Sequence, residues 1–380
     1  MTPDKPIRLL IAGGGTGGHV LPAVAVLQEL EAREVAIEPL WVGSYAGTER
    51  LRAEELGIPF ASIATGKFRR YVDVKSAKDA ANVPRGYWQA RRIVRAFRPD
   101  IVFSTGGYVS VPTVLAARGS APILTHEQTT ILGMATKINM RSAQVLALSF
   151  DSTQALVAGR KGKTVVTGNP VRSSLFAGDA ARGREAFGFD DRDPVVLVMG
   201  GALGAQPINQ RVQAMLGGLL AEAQVIHQAG PDSYNGDLSR LQAYRETLPE
   251  KLRSRYVVTE FIGPELPDVY AMADLMLCRS GAGTVAEISA LGKAAVLIPL
   301  PLSGGGEQVT NARALAGKDA ARMVMQDAAT PAALLEEIRA LLADPGERVR
   351  MGQAAAALGR RDAGARLTDE LLELAALRRG

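Results

Sequence analysis

The chain has 380 residues, 47% of them hydrophobic and 22% charged, with a formal net charge of +5; that length exceeds what one core usually supports and calls for two domains of roughly 150 to 200 residues each. No run reaches the roughly 18 consecutive apolar residues of a membrane span, which excludes an integral helical membrane protein. The few apolar residues before Gly13 are too short for a signal-peptide core, so export is not expected, and the single cysteine, Cys278, excludes an intramolecular disulfide or a cysteine metal cluster and suits a reducing compartment.

Short β-rich apolar runs alternate with helical patterns throughout, as in parallel sheets with crossover helices. Strands are predicted at 7–12, 39–42, 100–104, 123–125 and 145–148, with a glycine loop and a helix from about Leu21 after the first. A second series follows at 195–199, 225–228, 256–259, 275–278 and 295–298. The phasing restarts near Gly168-Asn169-Pro170, where Asn-Pro disfavours helix. Residues 331–379 read as helices with a break around Asp344-Pro345-Gly346. The predicted class is therefore α/β, with two Rossmann-like domains.

The positive charge is concentrated. Between Lys67 and Arg98 stand Arg69, Arg70, Lys75, Lys78, Arg85, Arg91, Arg92 and Arg95, against Asp73 and Asp79, and the remainder of the chain is slightly acidic. Phe68, Tyr71, Tyr87, Trp88 and Phe97 are interleaved with them. This mixture suits an anionic lipid surface as well as it suits a nucleic acid; it also describes a solvated helix face with buried aromatics.

Gly13-Gly14-Gly15-Thr16-Gly17-Gly18-His19 separates the first strand from the first helix. Such a loop lets backbone approach a ligand closely. A dinucleotide site wants an acid at the end of the second strand, where Val42-Gly43-Ser44 stand, and a P-loop wants Lys-Ser/Thr where Gly18-His19 stand, so neither reading fits. His19 is placed to take a proton from a hydroxyl near neutral pH, or else to serve structurally at a helix start.

The second domain repeats the device. Gly200-Gly201-Ala202-Leu203-Gly204-Ala205 precedes a helix with Pro207 in its first turn, and its amides suit a phosphate. Arg279-Ser280-Gly281-Ala282-Gly283-Thr284 opens a helix carrying Glu287, whose carboxylate suits either a ribose or the helix dipole. In a third loop, 302–308, Glu307 and Gln308 offer groups for sugar hydroxyls. The single Asp-x-Asp, Asp191-Arg192-Asp193, precedes a strand and reads as a turn, so no metal site is expected. Leaving-group charge falls to helix dipoles, amides and cations such as Arg172.

Taken together, Gly13 to His19, Thr65-Gly66-Lys67-Phe68-Arg69-Arg70, Gly106-Gly107-Tyr108-Val109-Ser110-Val111-Pro112, His126-Glu127-Gln128, Gly168-Asn169-Pro170-Val171-Arg172 and Arg279 to Glu287 resemble the MurG family over nearly the whole chain. These transferases add N-acetylglucosamine to undecaprenyl-pyrophosphoryl-MurNAc-pentapeptide. The resemblance implies a GT-B fold with a cleft between an acceptor- and membrane-binding domain, 1–166, and a UDP-sugar-binding domain, 167–362, a helix at about 363–380 packing back on the first. It implies inverting transfer from UDP-GlcNAc to a polyprenyl-linked acceptor, with no cofactor and no nucleic acid. His19 becomes the candidate base; Thr16, Gly17, Gly18, Gly106, Tyr108, His126, Glu127 and Thr129 line the acceptor pocket. Arg172 approaches the phosphates with the loop of Ala202 and Gly204, Ile262 the uracil, Ala282, Gly283 and Thr284 the diphosphate, Glu287 the ribose, and Glu307 and Gln308 the sugar, with Arg279 also on the donor side. Peripheral binding at the cytoplasmic face of the membrane matches segment 67–98. Three positions depart from the family pattern: Ala202 stands where serine is usual, Thr129 where asparagine is, and Glu307 where histidine or glutamine is. The alternatives that remain are a paralogous UDP-sugar transferase with another lipid acceptor, a UDP-sugar epimerase on the same scaffold, and a non-catalytic binding protein.

Overall fold

A computed structural model describes residues 5–15, 17–45, 47–66, 74–302 and 305–379. Its contacts divide the chain into two compact units, Met1–Arg172 with Arg361–Gly380, and Ser173–Arg360.

The first unit is built on β1 (Ile7–Gly13), β2 (Ile37–Ser44), β3 (Phe60–Ile63), β4 (Ile101–Gly106), β5 (Ile123–Glu127), β6 (Val145–Leu148) and β7 (Lys163–Val166), in the order β3-β2-β1-β4-β5-β6-β7. Every pairing is parallel, so all strand exits share one edge of the sheet. Because strand side chains alternate between faces, Leu9, Ile11, Ile101 and Phe103 enter one core while Leu10, Ala12, Val102 and Ile123 enter the other.

The terminal helix Ala363–Arg379 completes the first of these cores with Leu367, Leu371 and Leu374. Arg33 meets Asp369 at 2.5 Å, and Lys163 meets Glu370 at 2.7 Å and Glu373 at 2.8 Å. Exposed pairs of this kind contribute about 0 to 1 kcal/mol each. A fully buried leucine contributes about 1.5 to 3 kcal/mol, so the apolar seam is what holds this helix.

The second unit is built on β8 (Val195–Met199), β9 (Gln224–Gln228), β10 (Tyr256–Thr259), β11 (Leu275–Cys278), β12 (Ala295–Leu297) and β13 (Arg322–Met323), in the order β10-β9-β8-β11-β12-β13, again all parallel. β8, β9 and β11 are buried along their whole length, as sheets covered on both faces require. The break predicted at Asp344 is a true cap: its carboxylate accepts from Glu347 N at 2.9 Å and starts the helix Pro345–Leu358.

Candidate active site

In the first unit, β1 runs into Gly14 and Gly15, at φ +147° and +86°, and Gly17–His19 forms a single 3-10 turn; Thr16 lies outside the described residues. Gly107, at φ +75°, comes so close to this loop that a Cβ on it would stand 2.4 Å from the Gly14 carbonyl oxygen, and only glycine fits.

His19 is held between these loops. Its Nδ1 lies 3.0 Å from the Thr105 carbonyl oxygen, and Thr105 Oγ1 donates to the His19 carbonyl at 2.6 Å. A carbonyl only accepts, so the Thr105 contact favours the tautomer with the proton on Nδ1 and the basic lone pair on Nε2, whereas an amide nitrogen beside Nδ1 favours the other. Gln128 Nε2 donates to the same carbonyl at 2.8 Å, which brings it to 3.0 Å from His19 Nδ1. Burial lowers the His19 pKa from its ordinary value, against the Thr105 bond and the carboxylates of Glu127 and Glu49, which raise it. The ring is thus kept in the neutral form that a general base needs.

An acid does follow β2, but it points inward. Glu49, fully buried in the first turn of the helix Thr48–Glu55, accepts from Ser44 N at 2.8 Å, Ser44 Oγ at 2.7 Å and Gly15 N at 2.9 Å. It ties the end of β2 to the glycine loop, so the Gly15 amide is already engaged and this part of the loop is shaped by protein rather than by a ligand.

At the β5 exit, Glu127 accepts from Thr129 N at 3.2 Å and from Gly133 N at 2.9 Å, which fixes the loop leading to the helix Met134–Asn139. His126 is buried. Its Nε2 donates to the Gly168 carbonyl at 3.1 Å, and desolvation pushes its pKa down to about 4. Tyr108 lies against Gly15, where a Cβ would stand 2.7 Å from its ring, and lines an open polar cavity of about 380 Å³ with Ser44, Tyr45, Thr65, Asn82 and Arg85.

Of the basic aromatic segment, residues 67–73 lie outside the described residues. The rest is the helix Val74–Phe97, on which Arg85, Trp88, Arg92 and Arg95 are exposed at spacings of three and four, a single stripe. Trp88 is 62% exposed, whereas Tyr87 and Phe97 pack against the core.

In the second unit, β8, β11 and β12 are parallel neighbours, so the loops that follow them leave at one edge; Ser303 and Gly304 of the third lie outside the described residues. The helices they open, Gln206–Leu220, Ala282–Leu291 and Glu307–Ala316, have Ala205, Gly281 and Gly306 at the N-cap, residues without a side-chain oxygen. By contrast Asp179, Thr330 and Asp344 cap the helices Ala180–Phe187, Pro331–Ala343 and Pro345–Leu358. A helix start without its own oxygen is one that a phosphate oxygen can complete.

The first of these loops is braced from β9. Gln228 donates to the Gly201 carbonyl at 3.3 Å and accepts from Ile262 N at 3.2 Å, and Gly204, at φ +72°, packs on Ala229, whose carbonyl oxygen a Cβ would meet at 1.9 Å. Ala202 is exposed and Ala282, Gly283 and Thr284 are half-buried. Glu287 is 8% exposed and accepts from Tyr270 Oη at 2.6 Å. Gln308 Oε1 accepts from Leu300 N at 3.0 Å, and Ser280 Oγ donates to the Gln308 carbonyl at 2.8 Å, joining the second loop to the third. Arg172 closes the first unit. The Asp-x-Asp is a turn at the opposite edge: Asp190 accepts from Arg192 N and Asp193 N, and Asp193 pairs with Arg255.

Two of the expected site residues also make structural bonds. Arg279 is 7% exposed, and its guanidinium donates to the Ile298 carbonyl at 3.0 Å and to Gln326 Oε1 at 2.6 Å, so it braces the ends of β11 and β12. His126, 1% exposed, joins β5 to the stretch after β7 through Nε2. Four supporting residues escaped the sequence reading: Glu49, Thr105, Gln228 and Tyr270. For Glu49 a signal existed, an acid in the first turn of the helix that follows β2.

The descriptions "Glycosyltransferase family 28 N-terminal domain" and "C-terminal domain" match residues 9–147 and 195–367. The UDP-N-acetylglucosamine--N-acetylmuramyl-(pentapeptide) pyrophosphoryl-undecaprenol N-acetylglucosamine transferase of Lachnospira eligens is 36% identical over 340 residues, 89% of this chain and 91% of that protein. The crystal structure of Acinetobacter baumannii MurG aligns with a TM-score of 0.72 at 27% identity, over 97% of this chain and 100% of that one. A UDP-GlcNAc 2-epimerase from Neisseria meningitidis, bound to UDP-GlcNAc, aligns at 0.66 over 97% of this chain and 100% of that one with 14% identity, and shows the fold alone. Two parallel α/β units with glycine loops at their strand exits, matched in this way, define a glycosyltransferase of the GT-B type. The chain belongs to glycosyltransferase family 28, and within it to the MurG family.

Proposed function

We propose that this protein catalyses inverting transfer of N-acetylglucosamine from UDP-GlcNAc to undecaprenyl-pyrophosphoryl-MurNAc-pentapeptide, giving the disaccharide lipid used in peptidoglycan synthesis. The observation that carries the reading is His19. Its Nδ1 lies against the Thr105 carbonyl, which favours a basic Nε2, and its ring is neutral near pH 7. In the reaction Nε2 takes the proton of the acceptor hydroxyl, the oxygen attacks the anomeric carbon, and UDP leaves. Charge developing on the diphosphate is met by the starts of the helices Gln206–Leu220 and Ala282–Leu291 and by Arg172. Glu287 accepts the ribose hydroxyls, Ile262 meets the uracil, and Glu307 and Gln308 meet the sugar.

The first unit takes the acceptor, with Gly17, Gly18, Gly106 and Tyr108 around the reacting hydroxyl and Glu127 and Thr129 fixing the loop beside it. The exposed stripe of Arg85, Trp88, Arg92 and Arg95 supports peripheral binding to an anionic membrane surface, at the cytoplasmic face. Among the described residues no helix is long and apolar enough to cross a membrane.

Incubating the purified protein with UDP-GlcNAc and a lipid I analogue, with excess chelator present, is expected to give a disaccharide product and stoichiometric UDP. No product at high enzyme concentration, or product only after a divalent ion is restored, overturns the reading.

A further inference from the structure

We propose that Tyr270 is a positioning residue for nucleotide recognition: its hydroxyl holds the Glu287 carboxylate in the plane that accepts the donor's ribose hydroxyls, and so it sets how sharply the site tells a ribonucleotide from its 2′-deoxy counterpart. The proposal rests on the reading that Glu287 meets the ribose.

Tyr270 sits on the helix Leu266–Met272 and is 0% exposed; Glu287 sits one and a half turns into the helix Ala282–Leu291 and is 8% exposed. The two belong to separate helices. Their contact, Tyr270 Oη to Glu287 Oε2 at 2.6 Å, is a short bond of phenol to carboxylate, among the stronger kinds because the acceptor is charged. A ring buried on all sides has one orientation, so its hydroxyl is a fixed donor. A carboxylate held by a fixed donor through one oxygen has lost the rotation about its last bond, and the plane of its other oxygen is set before any ligand arrives. That is the pre-organisation by which one planar acceptor can meet two vicinal hydroxyls at once.

The Glu287 side chain also lies close enough to Cys278 for its charge to push the thiol pKa up, after the larger effect of desolvation, to about 12. Removing the phenol hydroxyl leaves the ring's packing in place and deletes the donor that defines the carboxylate's plane.

The test is calorimetric titration of the full chain with UDP and with 2′-deoxy-UDP, for the wild type, Tyr270→Phe and Glu287→Gln. The wild type is expected to prefer UDP about tenfold or more, as a site built around a hydroxyl does when the hydroxyl is removed. Tyr270→Phe is expected to shrink that preference about three- to tenfold through weaker UDP binding, with 2′-deoxy-UDP binding and kcat at saturating donor nearly unchanged. Difluorotyrosine incorporated at Tyr270 keeps the hydroxyl and makes it more acidic, at the cost of two fluorines in place of ring hydrogens, and it is expected to alter the preference measurably even if Tyr270→Phe folds poorly. Should Glu287→Gln abolish the preference while both changes at Tyr270 leave it intact, Tyr270 only packs and the proposal is overturned. Should Glu287→Gln itself leave the preference intact, the ribose role of Glu287 fails, and the proposal fails with it.

Discussion

Replacing His19 by alanine is expected to lower kcat by about 10² to 10⁴-fold, the range contributed by a positioned general base, with little change in the KM for UDP-GlcNAc. On the proposed reading the donor keeps its contacts in the second unit, while the acceptor hydroxyl loses the group that removes its proton. The pH profile of kcat/KM gives the sign. For a general base the neutral ring is the active form, and burial holds the His19 pKa below its ordinary value of 6.5. Activity is therefore full above that value and falls as the pH drops through the lowered one, so the acid limb lies below pH 6.5. His19→Gln places an amide in the same cavity and restores the loop's packing but not the base. A variant with alanine here that keeps more than about a tenth of wild-type kcat contradicts the assignment.

Replacing Glu49 by alanine has the largest expected effect on stability. Three donors, Gly15 N, Ser44 N and Ser44 Oγ, point at one fully buried carboxylate. Each buried donor left without an acceptor costs about 1 to 3 kcal/mol, and the three together cost on the order of 3 to 9 kcal/mol where water cannot enter freely. Denaturant unfolding followed by fluorescence of Trp41, whose Nε1 donates to the Gly13 carbonyl beside the loop, reads this directly. Glu49→Gln fills the same volume yet turns an amide nitrogen towards at least one of those donors, so it is expected to recover only part of the loss. A change below about 1 kcal/mol for Glu49→Ala means that the loop satisfies its own backbone and the carboxylate does not organise it.

The central strands of both sheets were legible because they are covered on two faces, and a covered parallel strand must read as a continuous apolar run. Phe60–Ile63, Lys163–Val166 and Arg322–Met323 were not predicted, and all three are sheet edges. Short and half-exposed, they carry too little apolar pattern to stand out from the loops around them. At the site, placement that belongs to a loop's own spacing could be read, such as the glycine loops at the strand exits and the positions of His19 and Glu287 at the helix starts after them. Chemistry that depends on tertiary pairing could not: Gly15 and Glu49 are 34 positions apart, and His19 and Thr105 are 86. The Arg279 bonds are of the same kind, joining it to the Ile298 carbonyl and to Gln326, 19 and 47 positions away.

The most direct test of the account is the anomeric configuration of the product, measured by the proton coupling constant of the new glycosidic carbon in the disaccharide made from UDP-GlcNAc and a lipid I analogue. A single displacement by a hydroxyl that His19 deprotonates inverts the α-linked donor and gives a β-linked product. An α-linked product, or a donor altered at C2 with nothing transferred, would contradict it.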